Sequence, residues 1–124
     1  MAAPNIVDVS TITGKSATVA LSSTSATVLV SNAASSGKVF KINMIQVANV
    51  DGTSAADVTV DMHSAAAGGG TAYSLASTVT VPANASIVII DKNTSVYLEE
   101  ARSITATASA ANDLEVVISY EEIN

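Results

Sequence analysis

Cysteine and tryptophan are missing from this 124-residue sequence, and histidine and arginine occur once each. Without cysteine there is no disulfide, no thiol nucleophile and no thiolate zinc site. Aromatic rings number four, Phe40, Tyr73, Tyr97 and Tyr120, too few to line a sugar-binding cleft or to stack bases. Charge is scarce as well, at 13% of residues against about 25% in an ordinary globular domain. The eleven acidic residues face only four lysines and one arginine, for a net charge of −6. That excess of acid excludes nucleic acid as a direct partner, because phosphate neutralisation requires clustered cations. Long apolar runs are absent despite a mean hydropathy of +0.43. The longest strongly apolar run is Ile87-Val88-Ile89-Ile90, far short of the roughly 18 to 20 residues of a spanning helix, so no membrane partner is expected. The start, Met1-Ala2-Ala3-Pro4-Asn5, has neither the basic nor the apolar region of a signal peptide, and export by the general secretory route is not indicated.

The hydrophobicity comes instead from 22 alanines and 16 valines spread through a Ser/Thr background. Wherever these residues form a pattern its period is two, the signature of strands with one buried face. From Asp113 to Tyr120, Leu114, Val116, Ile118 and Tyr120 share a face, and Val117 interrupts the polar side. From Asp57 to His63, Val58, Val60 and Met62 alternate inward with Asp57, Thr59, Asp61 and His63 outward. From Ser103 to Ser109, Ile104, Ala106 and Ala108 face the core, small enough to imply bulkier residues opposite. Further strands are predicted over Ile6–Thr13, Ser16–Leu21, Ala26–Asn32, Val39–Asn49, Thr71–Val81, Ser86–Asp91 and Ser95–Leu98. Turn chemistry separates them at Thr13-Gly14-Lys15, Ser35-Ser36-Gly37, Asp51-Gly52-Thr53, Pro82-Ala83-Asn84 and Asp91-Lys92-Asn93.

Eight to ten short strands at such spacings predict an all-β chain. The expected architecture is a single antiparallel β-sandwich of jelly-roll or immunoglobulin-like type spanning residues 1–124. Alanine favours helix, but three consecutive glycines at Gly68, Gly69 and Gly70 interrupt one alanine-rich segment and Ser/Thr alternation governs the other. Ala65 to Gly70 therefore reads as an exposed, mobile loop. Residues 1–32 are less sharply alternating and serve either as ordinary edge strands or as a peripheral hairpin or docking arm.

Chemistry-bearing constellations are few. His63 is the only base available to a serine nucleophile, and its face-mate Asp61 stands about 7 Å away along the strand; an exposed strand histidine is the plainer expectation. Asp57, Asp61 and His63 on one face are weak candidates for a divalent cation; the spacing matches no calcium loop, and no metal or other cofactor is expected. Residues 63–124 carry seven acids and two bases, with Glu99-Glu100 and Glu121-Glu122 in pairs. Paired carboxylates serve glycoside hydrolysis when an aromatic-lined cleft holds the sugar. Here they read more simply as strand-end charges that discourage edge pairing or meet a partner, which makes Glu99, Glu100, Glu121 and Glu122 interface candidates. Asn84-Ala85-Ser86 and Asn93-Thr94-Ser95 match the N-glycosylation pattern by composition.

The run Val79-Thr80-Val81-Pro82, followed by Ile87 to Lys92, Val96-Tyr97-Leu98-Glu99-Glu100 and Leu114 to Ile123, resembles small virion proteins of tailed bacteriophages, especially those of marine bacteria and cyanobacteria. Asn49 to Val60 is similar to the segment that precedes these runs, so the resemblance covers about Lys41 to Ile123. Ala101-Arg102 departs from the pattern, where a glycine-containing turn is expected. The resemblance implies a non-enzymatic capsid decoration or cement protein on the virion surface, assembled in the host cytoplasm. The implied partners are the major capsid protein and further copies of the chain, as a homotrimer. A neck, tail or fibre-base component is the alternative, and a small metal- or sugar-dependent enzyme the remote one.

Overall fold

The computed structural model describes residues 4–124, so part of the segment on which the absence of a signal peptide was argued lies outside the described residues. Among the described residues nine strands form in chain order: β1 (Ile12–Ala20), β2 (Thr27–Asn32), β3 (Val39–Asn49), β4 (Ala56–His63), β5 (Ala72–Val81), β6 (Ser86–Ile90), β7 (Val96–Leu98), β8 (Arg102–Ala108) and β9 (Leu114–Ile123). Among the described residues the only helical segments are two short 3-10 turns, Ala66–Gly68 and Lys92–Thr94.

Pairing is nested around the β4–β5 hairpin. β3 pairs with β6 and β7, β2 with β8, and β1 with β9, all antiparallel. β9 also lies beside β3, and β8 beside β4. The result is one sheet ordered β1-β9-β3-β6, with β7 continuing beyond β6 along the same side of β3, and a second ordered β2-β8-β4-β5. A chain folded back on itself in this nested way is a jelly roll, which selects between the two sandwich types expected.

The core fills the space between the sheets. Ile42, Ile45 and Val47 of β3, Leu98 of β7 and Leu114, Val116 and Ile118 of β9 are almost completely buried from one side. Val58 and Val60 of β4 and Ile104, Ala106 and Ala108 of β8 meet them from the other, so bulky residues do stand opposite the small ones. A bulge at Asn43, between Ile42 and Met44, moves the inward phase of β3 from Phe40 and Ile42 to Ile45 and Val47.

Two buried asparagines stitch the sheets together at their ends. Asn32, at the end of β2, donates its amide to Leu98 O of the other sheet at 3.1 Å and to Lys38 O at 2.9 Å, and accepts from Ser36 Oγ at 2.6 Å. Asn49, at the end of β3, donates to Val81 O of the opposite sheet and to Ser54 O, both at 3.0 Å, and accepts from the Asp51 N–H at 2.9 Å. Each amide thus satisfies one carbonyl that the sandwich seals from water, Leu98 O or Val81 O, and one nearer the surface.

Thr13-Gly14-Lys15 makes no turn, contrary to expectation. β1 passes straight through it, because β9 extends to Ile123 and offers Glu122, Glu121 and Tyr120 as partners to those three residues. The strand predicted over Ile6–Thr13 is correspondingly reduced to Ile12 and Thr13. Asp91-Lys92-Asn93 does turn, with the Asp91 carboxylate accepting from the Asn93 and Thr94 N–H groups in a capping box.

Ala101 stands in the left-handed region at φ 57°, doing a glycine's work in the turn after Glu100. Ala101→Gly is expected to raise unfolding stability by about 1 kcal/mol, measured by urea denaturation. Asn49→Ala strands the buried Val81 carbonyl and removes two part-buried bonds, to Ser54 O and from the Asp51 N–H, and is expected to cost about 2 kcal/mol, read in the same assay.

Candidate functional site

Asp57, Asp61 and His63 do share the outer face of the second sheet, yet each is committed elsewhere. Asp57 accepts from the Thr80 hydroxyl and Asp61 from the Ser74 hydroxyl, both at 2.7 Å across the β4–β5 ladder. His63 is buried at 8% exposure, which corrects the expectation of an exposed strand histidine. Its Nε2 lies 2.8 Å from Thr105 Oγ1 and its Nδ1 3.2 Å from Gly69 O. A carbonyl only accepts, so Nδ1 carries the proton and Nε2 accepts from the threonine. Among the described residues no group of three or more His, Cys, Asp or Glu side chains is placed to hold a metal ion.

The cover over His63 is the Ala65–Gly70 segment, expected from its composition to be exposed and mobile. It lies instead against the outer face of β2, β8 and β4. Gly68 N–H donates to Ser103 Oγ at 2.8 Å, Ser103 Oγ donates to Ala65 O at 2.8 Å, and Ala67 N–H donates to Ser31 Oγ at 2.9 Å. Glycine is favoured here because Gly68 has φ +74° and sits so close to the sheet that a Cβ would lie 3.3 Å from Thr105 Cγ2. The alternation of β8 therefore mispredicts burial on one side: Ser103 and Thr105 point outward and are still buried, under the segment.

The acidic pairs gather at one end of the sandwich, where Glu122 and Leu98 flank Phe40 on adjacent strands. Glu122 faces Lys15 at 2.9 Å through one oxygen and Lys38 through the other, and is only 15% exposed, so its charge is spent within the chain. Glu121 accepts from Asn43 Nδ2 at 3.3 Å. Glu99 lies 3.6 Å from Arg102 and is the most open of the four, while Glu100 Oε1 is buried with no hydrogen-bond partner.

The outer face of the first sheet is uncharged across its middle, between Glu115 on one side and Glu121 and Lys41 on the other. Register places Thr18, Val117, Gln46 and Val88 in one row across β1, β9, β3 and β6, and Ser16, Ser119 and Met44 in the next. Val88 and Val117 are exposed there, at 58% and 37%. The lone valine that broke the polar side of β9 in the sequence marked this face, although the row around it emerges only from the register.

No family model and no curated protein matches the chain. A solved structure reported under the description "Bacillus endospore appendages form a novel family of disulfide-linked pili" is similar in fold. It is 17% identical over 91% of this chain and 88% of that one, with a TM-score of 0.52. At that identity the likeness concerns the fold alone. None of this bears on the resemblance to tailed-phage virion proteins.

Hydrogen bonds from Lys38 and Lys15 hold the Glu122 carboxyl below its ordinary value. The stability this contributes is complete above the unfolded-state value near pH 4.5 and is lost as pH falls through the lower folded-state one. Glu122→Gln is expected to flatten that part of an acid titration of Tm. Asp51, held low by the Thr53 N–H and hydroxyl, titrates in both proteins, so the difference between the two curves isolates Glu122.

Proposed function

We propose that this protein is a non-enzymatic structural subunit that works by packing against other subunits of an assembly. The uncharged middle of the outer face of the first sheet carries the reading. Ser16, Thr18, Met44, Gln46, Val88, Val117 and Ser119 bear no charge, and Glu115 borders them on one side and Glu121 and Lys41 on the other, so a contact centred on Val117 leaves those charges at its solvated rim. Most of these side chains are also short or stiff and surrender little rotamer freedom on contact.

The resemblance to tailed-phage virion proteins supports a finer form, a decoration subunit seated on the major capsid protein as a homotrimer at the virion surface. Jelly rolls recur in viral capsid proteins, an analogy of fold and not of site. A neck, tail or fibre-base position is the alternative within the virion. The pilus-type neighbour favours a second form, a subunit that polymerises with its own copies. These 124 residues hold no cysteine, so any such contact between them is non-covalent.

Concentrated protein, alone and mixed with the shells of particles that contain it, is to be followed by sedimentation and electron microscopy. Filaments of the chain alone support polymerisation, and saturable binding to shells supports decoration. The double variant Val117→Lys, Gln46→Lys is expected to weaken either association at least tenfold with Tm changed by no more than about 2 °C. Association unaffected by the two lysines, or no association in either setting, overturns the reading.

A further inference from the structure

A jelly roll of two open sheets has four edges, and three of them are broken. β2 carries an extra residue at Leu29, between the Val28 and Val30 pairs. β5 slips register twice against β4, between Val58 and Val60 and again between Val60 and Asp61, with Thr78 at φ 51° inside the first slip. On the edge opposite β1, β6 bulges at Ile89 and then gives way to a 3-10 turn before the three-residue β7. Bulges and interruptions of this kind prevent one sheet from adding to another.

β1 has no such interruption. Its nine residues pair with β9 in unbroken register from Ile12↔Ile123 to Ala20↔Glu115, and among the described residues nothing pairs with its other side. It contains no proline, and its one charged residue, Lys15, is paired with Glu122 on the neighbouring strand, so the usual blocking role of an edge lysine is cancelled. The direction of its main-chain groups follows from the ends. Thr11 exchanges both hydrogen bonds with Asn124, and Leu21 N–H donates to Leu114 O. By antiparallel alternation the odd-numbered residues bond to β9, and Ile12, Gly14, Ser16, Thr18 and Ala20 present their N–H and C=O groups to the open side.

We infer that this edge pairs with the same edge of a second copy of the chain, antiparallel about a two-fold axis at Ser16. A regular edge needs a regular partner, and β1 is the one edge of the four that is uninterrupted. A two-fold contact uses the same surface on both molecules. Centring on Ser16 sets Ile12 opposite Ala20, Gly14 opposite Thr18 and Ser16 opposite Ser16, so every outward-facing residue meets an outward-facing residue. Apart from Lys15, which meets Ala17 of the other copy and keeps its Glu122 partner, the side chains brought together at this seam are uncharged. The first sheets of the two molecules then run on as one. This two-fold contact departs from the threefold arrangement implied by the sequence resemblance. It specifies a contact for the assembly proposed above.

Sedimentation equilibrium of the full chain is expected to show a dimer. Ser16→Pro removes an N–H that points away from β9, and is expected to weaken dimerisation at least tenfold. Ser16→Cys leaves the backbone intact and places the dimer's only two thiols, one from each copy, across the axis. Directly opposed, hydrogen-bonded residues have Cα atoms about 5.5 Å apart, within disulfide reach. Mild oxidation is expected to give a covalent dimer that forms equally well at low protein concentration, whereas Glu99→Cys gives none. A monomer at all concentrations, or a dimer in which Ser16→Cys crosslinks no better than Glu99→Cys, overturns the inference even if the proline variant fails to fold. Assemblies that form while Ser16→Cys fails to crosslink would overturn this contact and leave the structural-subunit reading standing.

Discussion

The first sheet is held together by its last strand. β9 lies between β1 and β3 and pairs with both along nearly its whole length. Its inward residues Leu114, Val116 and Ile118 are among the most completely buried side chains. Little could replace it: among the described residues β1 pairs with no second strand, and β3 would keep only the short β6 and β7. Because β9 comes last, closing the sheet joins residues that are about a hundred positions apart. Nested pairing of this kind has a high contact order and folds slowly. The two asparagines that lock the sheets depend on the same closure, since their carbonyl partners belong to strands that adopt their final positions only once both sheets have met.

Much of this was legible in the residues because alternation reports burial directly. Val39–Asn49 has the predicted bounds, and β4, β6, β7 and β8 fall within one residue of theirs. What escaped was information held by partners distant in sequence. Gly14 beside Lys15 has the chemistry of a turn, but a long β9 keeps it extended. His63 alternates as an exposed residue, but the Ala65–Gly70 segment folds back over it. The triple glycine that suggested mobility instead supplies the left-handed geometry and close approach that let the segment lie on the sheet. Asn32 and Asn49 carry no periodic signal, because their role is defined by carbonyls on the opposite sheet.

The candidate surfaces divide in the same way. Scarce charge in the composition pointed to a neutral exterior, and Val117 marked one position on it. The row that joins Val117 to Thr18, Gln46 and Val88 depends on register across four strands, which composition cannot give. The acidic pairs were visible as sequence features, while their spending was not: Glu122 looked available to a partner and is occupied by two lysines of its own chain.

That occupation helps so acidic a chain keep the middle of one face uncharged. Lys15, Lys38 and Arg102, three of its five basic residues, are paired with Glu122 or Glu99 at one end of the sandwich. Asp57 and Asp61 lie on the other sheet, bonded to hydroxyls. The middle of the broad face of the first sheet, between Glu115 and Glu121, and most of the uninterrupted edge of β1 are left with uncharged side chains and free main-chain amides. Electrostatic complementarity chooses partners by attraction at long range, and little of it remains at these surfaces. Recognition there must come from the geometry of the edge, which accepts a strand only in a register that matches its alternating donors and acceptors. Bulges on the other three edges narrow that choice further, so the same irregularities that protect the sandwich from indiscriminate aggregation also direct association to β1.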